Sequence, residues 1–286
     1  MRTISQIVTP PLARLGVAIW LLASAGLRAD TPERWVVCYS DLPSAFDLVD
    51  YDVVVLDPDR HPPLAPIVDR DRTVLAYLSL TQIGRGRRAF PALADAGVIL
   101  EAHPVWTDAN YVDFRRAEWT RTVIEEIVPR ALAAGFTGLF LDTLDDAEFL
   151  ERRDPTRYGG MQEAAIQLVR GIRHHYPDIV LMMNRGYAIV PAVADSIDIL
   201  LGESVLSSFD PVTKSYAPVP TSDVQWQMDA LRRAKALNPR LKLFTLDYWD
   251  PADEEGVRRL YRRQRTHGFV PYVSTPLLDT VVKEPQ

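Results

Sequence analysis

The chain has one cysteine in 286 residues, Cys38, so it can form no intramolecular disulfide. Cys38 falls inside the apolar run Trp35-Val-Val-Cys-Tyr39 and reads as a small core residue. Histidine is also scarce, five in all, and none stands in an H-E-x-x-H or comparable spacing. With no C-x-x-C either, no metal and no cofactor are expected. His174-His175, beside Pro177, reads as a solvated helix end. No Walker pattern occurs, and the first strand runs into Tyr39-Ser-Asp-Leu-Pro43 without the glycines a dinucleotide turn requires. Gly84-Arg-Gly86 is a lone, arginine-rich turn. Positive charge is in deficit, 32 Lys and Arg against 38 Asp and Glu, which argues against nucleic acid or an anionic membrane as partner. There is no internal repeat and no low-complexity linker.

What is present starts at the N-terminus. Arg2 and Arg14 precede the apolar stretch 15–25, and no acid occurs before Asp30. Eleven residues fall short of the roughly 20 a membrane span needs, but they suit the apolar region of a signal peptide. Ala23-Ser-Ala25 is an A-x-A cleavage site, with Leu27-Arg-Ala29 a second option. The expected organisation is a signal peptide over 1–29, cleaved near residue 25 or 29, and one domain over 30–286. That makes the protein secreted or periplasmic, with no membrane contact after cleavage; an uncleaved anchor is the alternative. Cleavage after Ala25 removes Arg2 and Arg14 and takes the formal charge from -6 to -8.

Eight short apolar runs read as strands: 35–40, 53–57, 73–80, 138–143, 179–184, 197–203, 241–248 and 269–274. Most are continuously apolar, as in parallel sheets covered on both faces. Helical periodicity fills 115–134, 160–176, 223–237 and 253–267, with room for short helices near Phe46, Pro62 and Pro191. Eightfold alternation in a domain of about 250 residues predicts an α/β fold, a single-domain (β/α)8 TIM barrel; a doubly wound open sheet is the alternative. The tail after Asp279 is expected to fray.

Barrel enzymes place their chemistry at the C-terminal ends of the strands. Gly138-Leu-Phe-Leu-Asp142 and Ile199-Leu-Leu-Gly-Glu203 are apolar strands that stop on an acid, which is costly unless the acid is hydrogen-bonded or used. Two such acids suit glycoside hydrolysis, where one attacks or stabilises the sugar and the other protonates the leaving oxygen. Gly202 would let substrate approach the backbone closely. Asp142 and Glu203 are the candidate catalytic pair. Tyr39, Asp57, Tyr77, Ser79, Trp106, Asp145, Asn184, Tyr248 and Tyr272 are the candidate substrate-binding residues, with aromatic faces stacking on sugar C–H surfaces. The expected partner is a polysaccharide, which an acidic mouth of Asp57, Asp142, Asp145, Glu203 and Asp247 would favour as a cationic amino sugar. A non-catalytic polysaccharide-binding barrel of an exopolysaccharide export system is the competing reading. A phosphoesterase would call for metal ligands or basic phosphate clamps, and neither is found.

Taken in order, Val53-Val-Val-Leu-Asp-Pro-Asp59, Ala76-Tyr-Leu-Ser79, Tyr111-Val-Asp-Phe-Arg115, Gly135-Phe-Thr-Gly-Leu-Phe-Leu-Asp142, Asn184-Arg-Gly186, Gly202-Glu203 and Gly268-Phe-Val-Pro-Tyr272 form a series. The series resembles the endo-α-1,4-polygalactosaminidase glycoside hydrolases, family 114, and the related hydrolase domain of Pel-type exopolysaccharide enzymes. It runs from about Trp35 to Thr280. The resemblance implies a barrel that cleaves α-1,4-linked, galactosamine-rich polysaccharide with retention and without metal. It further implies Asp142 as nucleophile and Glu203 as acid/base; a nucleophile is expected to be ionised at rest, and an acid to hold its proton to higher pH. Asp145 is expected only to orient Asp142 or a sugar hydroxyl. One departure stands out: where the family often has Gly-Glu, this chain reads Leu80-Thr-Gln82. Arg185 also puts a cation near the cleft.

Overall fold

Runs that are apolar at every residue form strands here because both of their faces are covered. In the computed structural model, which describes residues 34–286, every residue of Trp35–Cys38 and of Val53–Leu56 is buried. The strands are β1 (Trp35–Cys38), β2 (Val53–Leu56), β3 (Thr73–Ser79), β4 (Gly138–Asp142), β5 (Val180–Asn184), β6 (Ile199–Glu203), β7 (Lys242–Tyr248) and β8 (Val270–Ser274). They pair in chain order, each parallel to the next. β8 returns to β1, where the Trp35 indole donates to the Val270 carbonyl at 3.1 Å. Beyond β8 the chain supplies the Leu278 carbonyl to Tyr39 N–H at 2.6 Å. The result is a nearly closed (β/α)8 barrel, not an open sheet. The expected signal segment lies outside the described residues, and among those described no helix is long and apolar enough to cross a membrane.

The expected helices appear with identifiable starts and interruptions. Asp253 caps the Glu254–Thr266 helix by accepting from Gly256 N–H at 2.9 Å. The stretch from Ala117 to Ala133 is one rod broken by a π-helical turn over Thr122–Ile127. Pro129 has no N–H to give Glu125, and Val128 N–H reaches back to Val123 instead. Two excursions were not read from the sequence, and both follow strand ends. A three-stranded antiparallel sheet of Gln82–Gly84, Ile99–Ala102 and Ala109–Val112 is inserted between β3 and β4. A hairpin of Ser207–Asp210 and Ser215–Pro218 follows β6. The tail expected to fray is tied down: Glu284 accepts from Arg265 at 2.7 Å, and Val282 N–H donates to the Tyr272 hydroxyl at 3.0 Å.

One glycine fixes how close two strands approach. A Cβ on Gly138 would lie 2.2 Å from the Val180 carbonyl oxygen and 2.7 Å from Leu75 Cδ2. The obstacle is backbone, so β4 or β5 would have to move. Gly138→Ala is therefore expected to destabilise the fold by about 3 kcal/mol, at the upper end of overpacking effects. A urea midpoint equal to that of the wild type would show that the two strands are free to separate.

Candidate active site

Three neighbouring strands each end on a site residue: β4 on Asp142, β5 on Asn184 and β6 on Glu203. The residue after each end has a left-handed backbone, with φ of 66° at Thr143, 51° at Arg185 and 52° at Ser204. Only six non-glycine residues described adopt this sterically disfavoured region. Three of them directly follow site residues and a fourth, Leu278, lines the cavity, so the strain is concentrated around the site. Each turn is held from the side. Thr143 Oγ1 accepts from Thr81 N–H at 3.0 Å and donates to the Asp142 carbonyl at 2.7 Å. Arg185 N–H donates to the Leu201 carbonyl at 2.9 Å, and Ser204 N–H to the Leu246 carbonyl at 2.7 Å.

Asn184 is 5% exposed and gives both amide hydrogens to the two acids: Nδ2 donates to Asp142 Oδ1 at 2.9 Å and to Glu203 Oε2 at 2.6 Å. The opposite amide orientation would aim Oδ1 at two carboxylates, so the network fixes the assignment. With the roughly 120° angle of an amide NH2, these bonds hold the two nearest carboxylate oxygens about 5 Å apart. Glu203 Oε1 accepts from the Tyr248 hydroxyl at 2.6 Å, and the Tyr77 hydroxyl bonds to Asp142. Tyr77 is packed between Tyr39 and Phe140, with ring centroids 4.6 and 6.0 Å away. Burial, reinforced by nearby carboxylates, raises the phenols of Tyr77 and Tyr248 far above their ordinary range, so both remain donors.

Asp142 itself is raised to about 6, first by burial and then by the charge of Glu203. Bonds from Asn184, Thr143 N–H and Tyr77 act in the opposite direction. The sequence reading has Asp142 ionised at rest, and a carboxyl raised to about 6 is so only above that pH. A second carboxyl, Asp146, is raised to about 7 by burial, against a 2.6 Å bond donated by Gln82. The glutamine that departs from the family pattern thus spends its amide on Asp146.

The cavity over these groups has a volume of about 810 Å³. Tyr39, Asp57, Tyr77, Ser79, Trp106, Asn184 and Tyr248 line it together with Asp142 and Glu203. Trp106, 61% exposed, enters from the inserted sheet. Asp145 and Tyr272 do not line it. Asp145 opens the Asp145–Arg153 helix, with its carboxylate 3.8 Å from Arg185 Nε. Tyr272 fills the seam between β8 and β1, edge-on to Trp35 and Tyr51. Gly202 faces packing rather than substrate: a Cβ there would meet Val205, Leu231 and Tyr187.

The expected acidic mouth is narrower than the sequence suggests. Arg87, missed in the reading of the arginine-rich turn, clamps Asp57 through bonds of 2.6 and 3.2 Å and Asp59 at 2.5 Å. Arg130 also binds Asp59. Asp247 is sealed behind the cavity. Of the five acids expected at the mouth, that leaves Asp142 and Glu203 as the two that line the cavity with no ion pair among the described residues.

Two carboxylates held this close, with no cation among the described residues to neutralise them and aromatic rings around them, suit the splitting of a glycosidic bond. Glycoside hydrolase is the class to which this barrel belongs. More particularly, the chain belongs to glycoside-hydrolase family GH114, whose family model matches residues 24–286. It is similar to the glycoside hydrolase domain of PelA from Pseudomonas aeruginosa, at 26% identity and a TM-score of 0.77, over 89% of this chain and 99% of that one. Ega3 of Aspergillus fumigatus, solved in complex with galactosamine, shares the fold at 13% identity and a TM-score of 0.64, over 96% and 100% of the two chains. Comparison with curated proteins gives no match.

The raised Asp142 carboxyl has a consequence for stability. Its folded pKa of about 6 lies above the ordinary 3.8 of an aspartate, so its ionisation opposes folding. That burden is fully present above the folded pKa, shrinks as pH falls through it, and is gone below the unfolded one. Asp142→Asn is therefore expected to melt at a higher temperature than wild type at about pH 8, with the gain vanishing by about pH 4. A gain that does not vary with pH would remove the titration of Asp142 as its source.

Proposed function

We propose that this glycoside hydrolase is exported and cleaves galactosamine-containing, α-1,4-linked polysaccharide by double displacement, with Asp142 as nucleophile and Glu203 as acid/base. The observation that carries the mechanism is the Asn184 clamp. A separation of about 5 Å falls in the range of retaining enzymes and is too short for the water an inverting enzyme places between its carboxyls. In the first step an Asp142 oxygen bonds to the anomeric carbon while Glu203 gives its proton to the departing glycosidic oxygen. In the second, Glu203 takes a proton from water, whose oxygen bonds to the anomeric carbon and releases Asp142. The competent enzyme thus carries one proton on the pair, and a raised Asp142 carboxyl places the acid limb of the rate profile near pH 6.

Two observations support a cationic sugar. Asp142 and Glu203 have no cation of their own among the described residues, whereas the rim acids Asp57 and Asp59 are neutralised by Arg87 and Arg130. The attraction is therefore focused at the cavity floor. The galactosamine bound to Ega3, which shares this fold, agrees with the same substrate class.

Turnover of a partly N-acetylated α-1,4-galactosaminan tests the assignment. Asp142→Asn and Glu203→Gln should each lower kcat by about a thousandfold or more with the fold intact. NMR of the first product should show the α anomer. A β anomer would overturn Asp142 as nucleophile, near-normal turnover in either variant would remove that residue from the mechanism, and equal cleavage at acetylated and free amines would remove charge as the selector. For export, sequencing of the secreted protein should find a mature N-terminus between residues 26 and 30; a start at Met1 would favour an anchor.

A further inference from the structure

Behind the cavity lies a carboxylate that the proposed mechanism does not use. Asp247 is 1% exposed and sits on β7 between Leu246 and Tyr248, both of which line the cavity. Strand alternation turns Asp247 the other way, into the layer between barrel and helices. Its Oδ1 accepts from Leu206 N–H at 2.7 Å and Ser207 N–H at 2.9 Å, and its Oδ2 from the Gln264 amide at 2.5 Å. Gln264 is itself fully buried on the Glu254–Thr266 helix. No cation joins the group among the described residues. A buried carboxylate held only by neutral donors costs several kcal/mol of desolvation, where an apolar side chain would fill the same space more cheaply.

What these donors have in common is Glu203. Leu206 closes the turn that leaves β6 immediately after it, and Ser207 opens the hairpin strand that follows. The turn begins at left-handed Ser204, whose N–H binds the Leu246 carbonyl and whose carbonyl accepts from Gln227 at 2.9 Å. Tyr248, on the other side of Asp247, donates to Glu203 Oε1. Three consecutive residues of β7 thus hold Glu203 in three ways. Leu246 binds the backbone just after it, Asp247 gathers the N–H groups of the turn, and Tyr248 binds the carboxylate.

Resting on the reading of Glu203 as acid/base, we propose that Asp247 is the positioning residue for Glu203: it fixes the turn that sets the Glu203 carboxylate against Tyr248 and Asn184. The titratable groups facing Glu203 are Asp142 on β4 and the phenols of Tyr39, Tyr77, Tyr187 and Tyr248. A displaced turn changes its distance to each of them, and so changes how it titrates.

The test pairs Asp247→Asn with the double variant Asp247→Asn/Gln264→Glu. Asparagine alone turns an NH2 group toward either the Gln264 amide or the backbone N–H groups. The double variant reverses the side-chain pair, so that residue 247 donates to residue 264 while its oxygen still accepts from the turn. Asp247→Asn is expected to lower kcat about tenfold or more with KM within about twofold, as small misplacements of a reacting group do. It should also move the Glu203 titration midpoint, followed by carboxyl carbon NMR and assigned with Glu203→Gln, and the double variant should restore both. Folded Asp247→Asn with a wild-type rate and midpoint would overturn the proposal. If Asp247→Asn does not fold, Gln264→Leu carries the test by removing only the donor to Oδ2: a moved midpoint supports the proposal, and an unmoved one overturns it. The titration needs no substrate, so a wild type that leaves galactosaminan uncut would refute the substrate reading while the midpoint still decides the role of Asp247.

Discussion

A single side-chain amide bonds to two carboxylates at the floor of the barrel, and much of the structure can be understood from what that contact requires. Two like charges about 5 Å apart repel by about 3 kcal/mol at an effective dielectric constant near 20. Asn184 opposes this by giving one hydrogen to each, with Tyr77 and Tyr248 supplying further donors from the flanking strands. For one nitrogen to reach both acids, the ends of β4, β5 and β6 must lie close together: the parallel register sets Leu141 beside Met183, one residue before Asp142 and Asn184, and Asn184 beside Leu201, two residues before Glu203. The close approach of β4 and β5 at Gly138 belongs to the same constraint. So do the left-handed residues that turn the chain away directly after each functional side chain.

The parts legible in the sequence are those where chemistry interrupts a pattern. An apolar strand that stops on an acid stands out, and both Asp142 and Glu203 lie where that pattern put them. The direction in which a strand-end residue points did not stand out. When both faces of a strand are buried, the hydrophobic pattern has no alternation to show which side chains face the barrel interior. Asp247 and Tyr248 are neighbours at one strand end, equally plausible as mouth residues, and only Tyr248 is one. Tyr272 fails for a different reason, since the seam between β8 and β1 offers it an apolar slot next to Trp35 and Tyr51. The inserted sheet was illegible because its strands have three or four residues each and mix polar with apolar types. The bridging role of Asn184 depends on two distances that no spacing along the chain encodes.

Charge shows the same gap between composition and structure. The sequence is acidic and places several acids at strand ends, which suggests a broadly negative mouth. Arg87 and Arg130 overturn that by pairing with Asp57 and Asp59. Those rim pairs are partly exposed, so their contribution to stability is small. Their larger effect is on the field. With the rim neutral, the potential a ligand meets grows as it descends toward Asp142 and Glu203, away from water and its screening. A broad acidic mouth would hold a cationic polymer at many points along its length. On the proposed cationic substrate, a neutral rim over a charged floor would hold most tightly the one residue that reaches the floor, where the bond to be cleaved must lie.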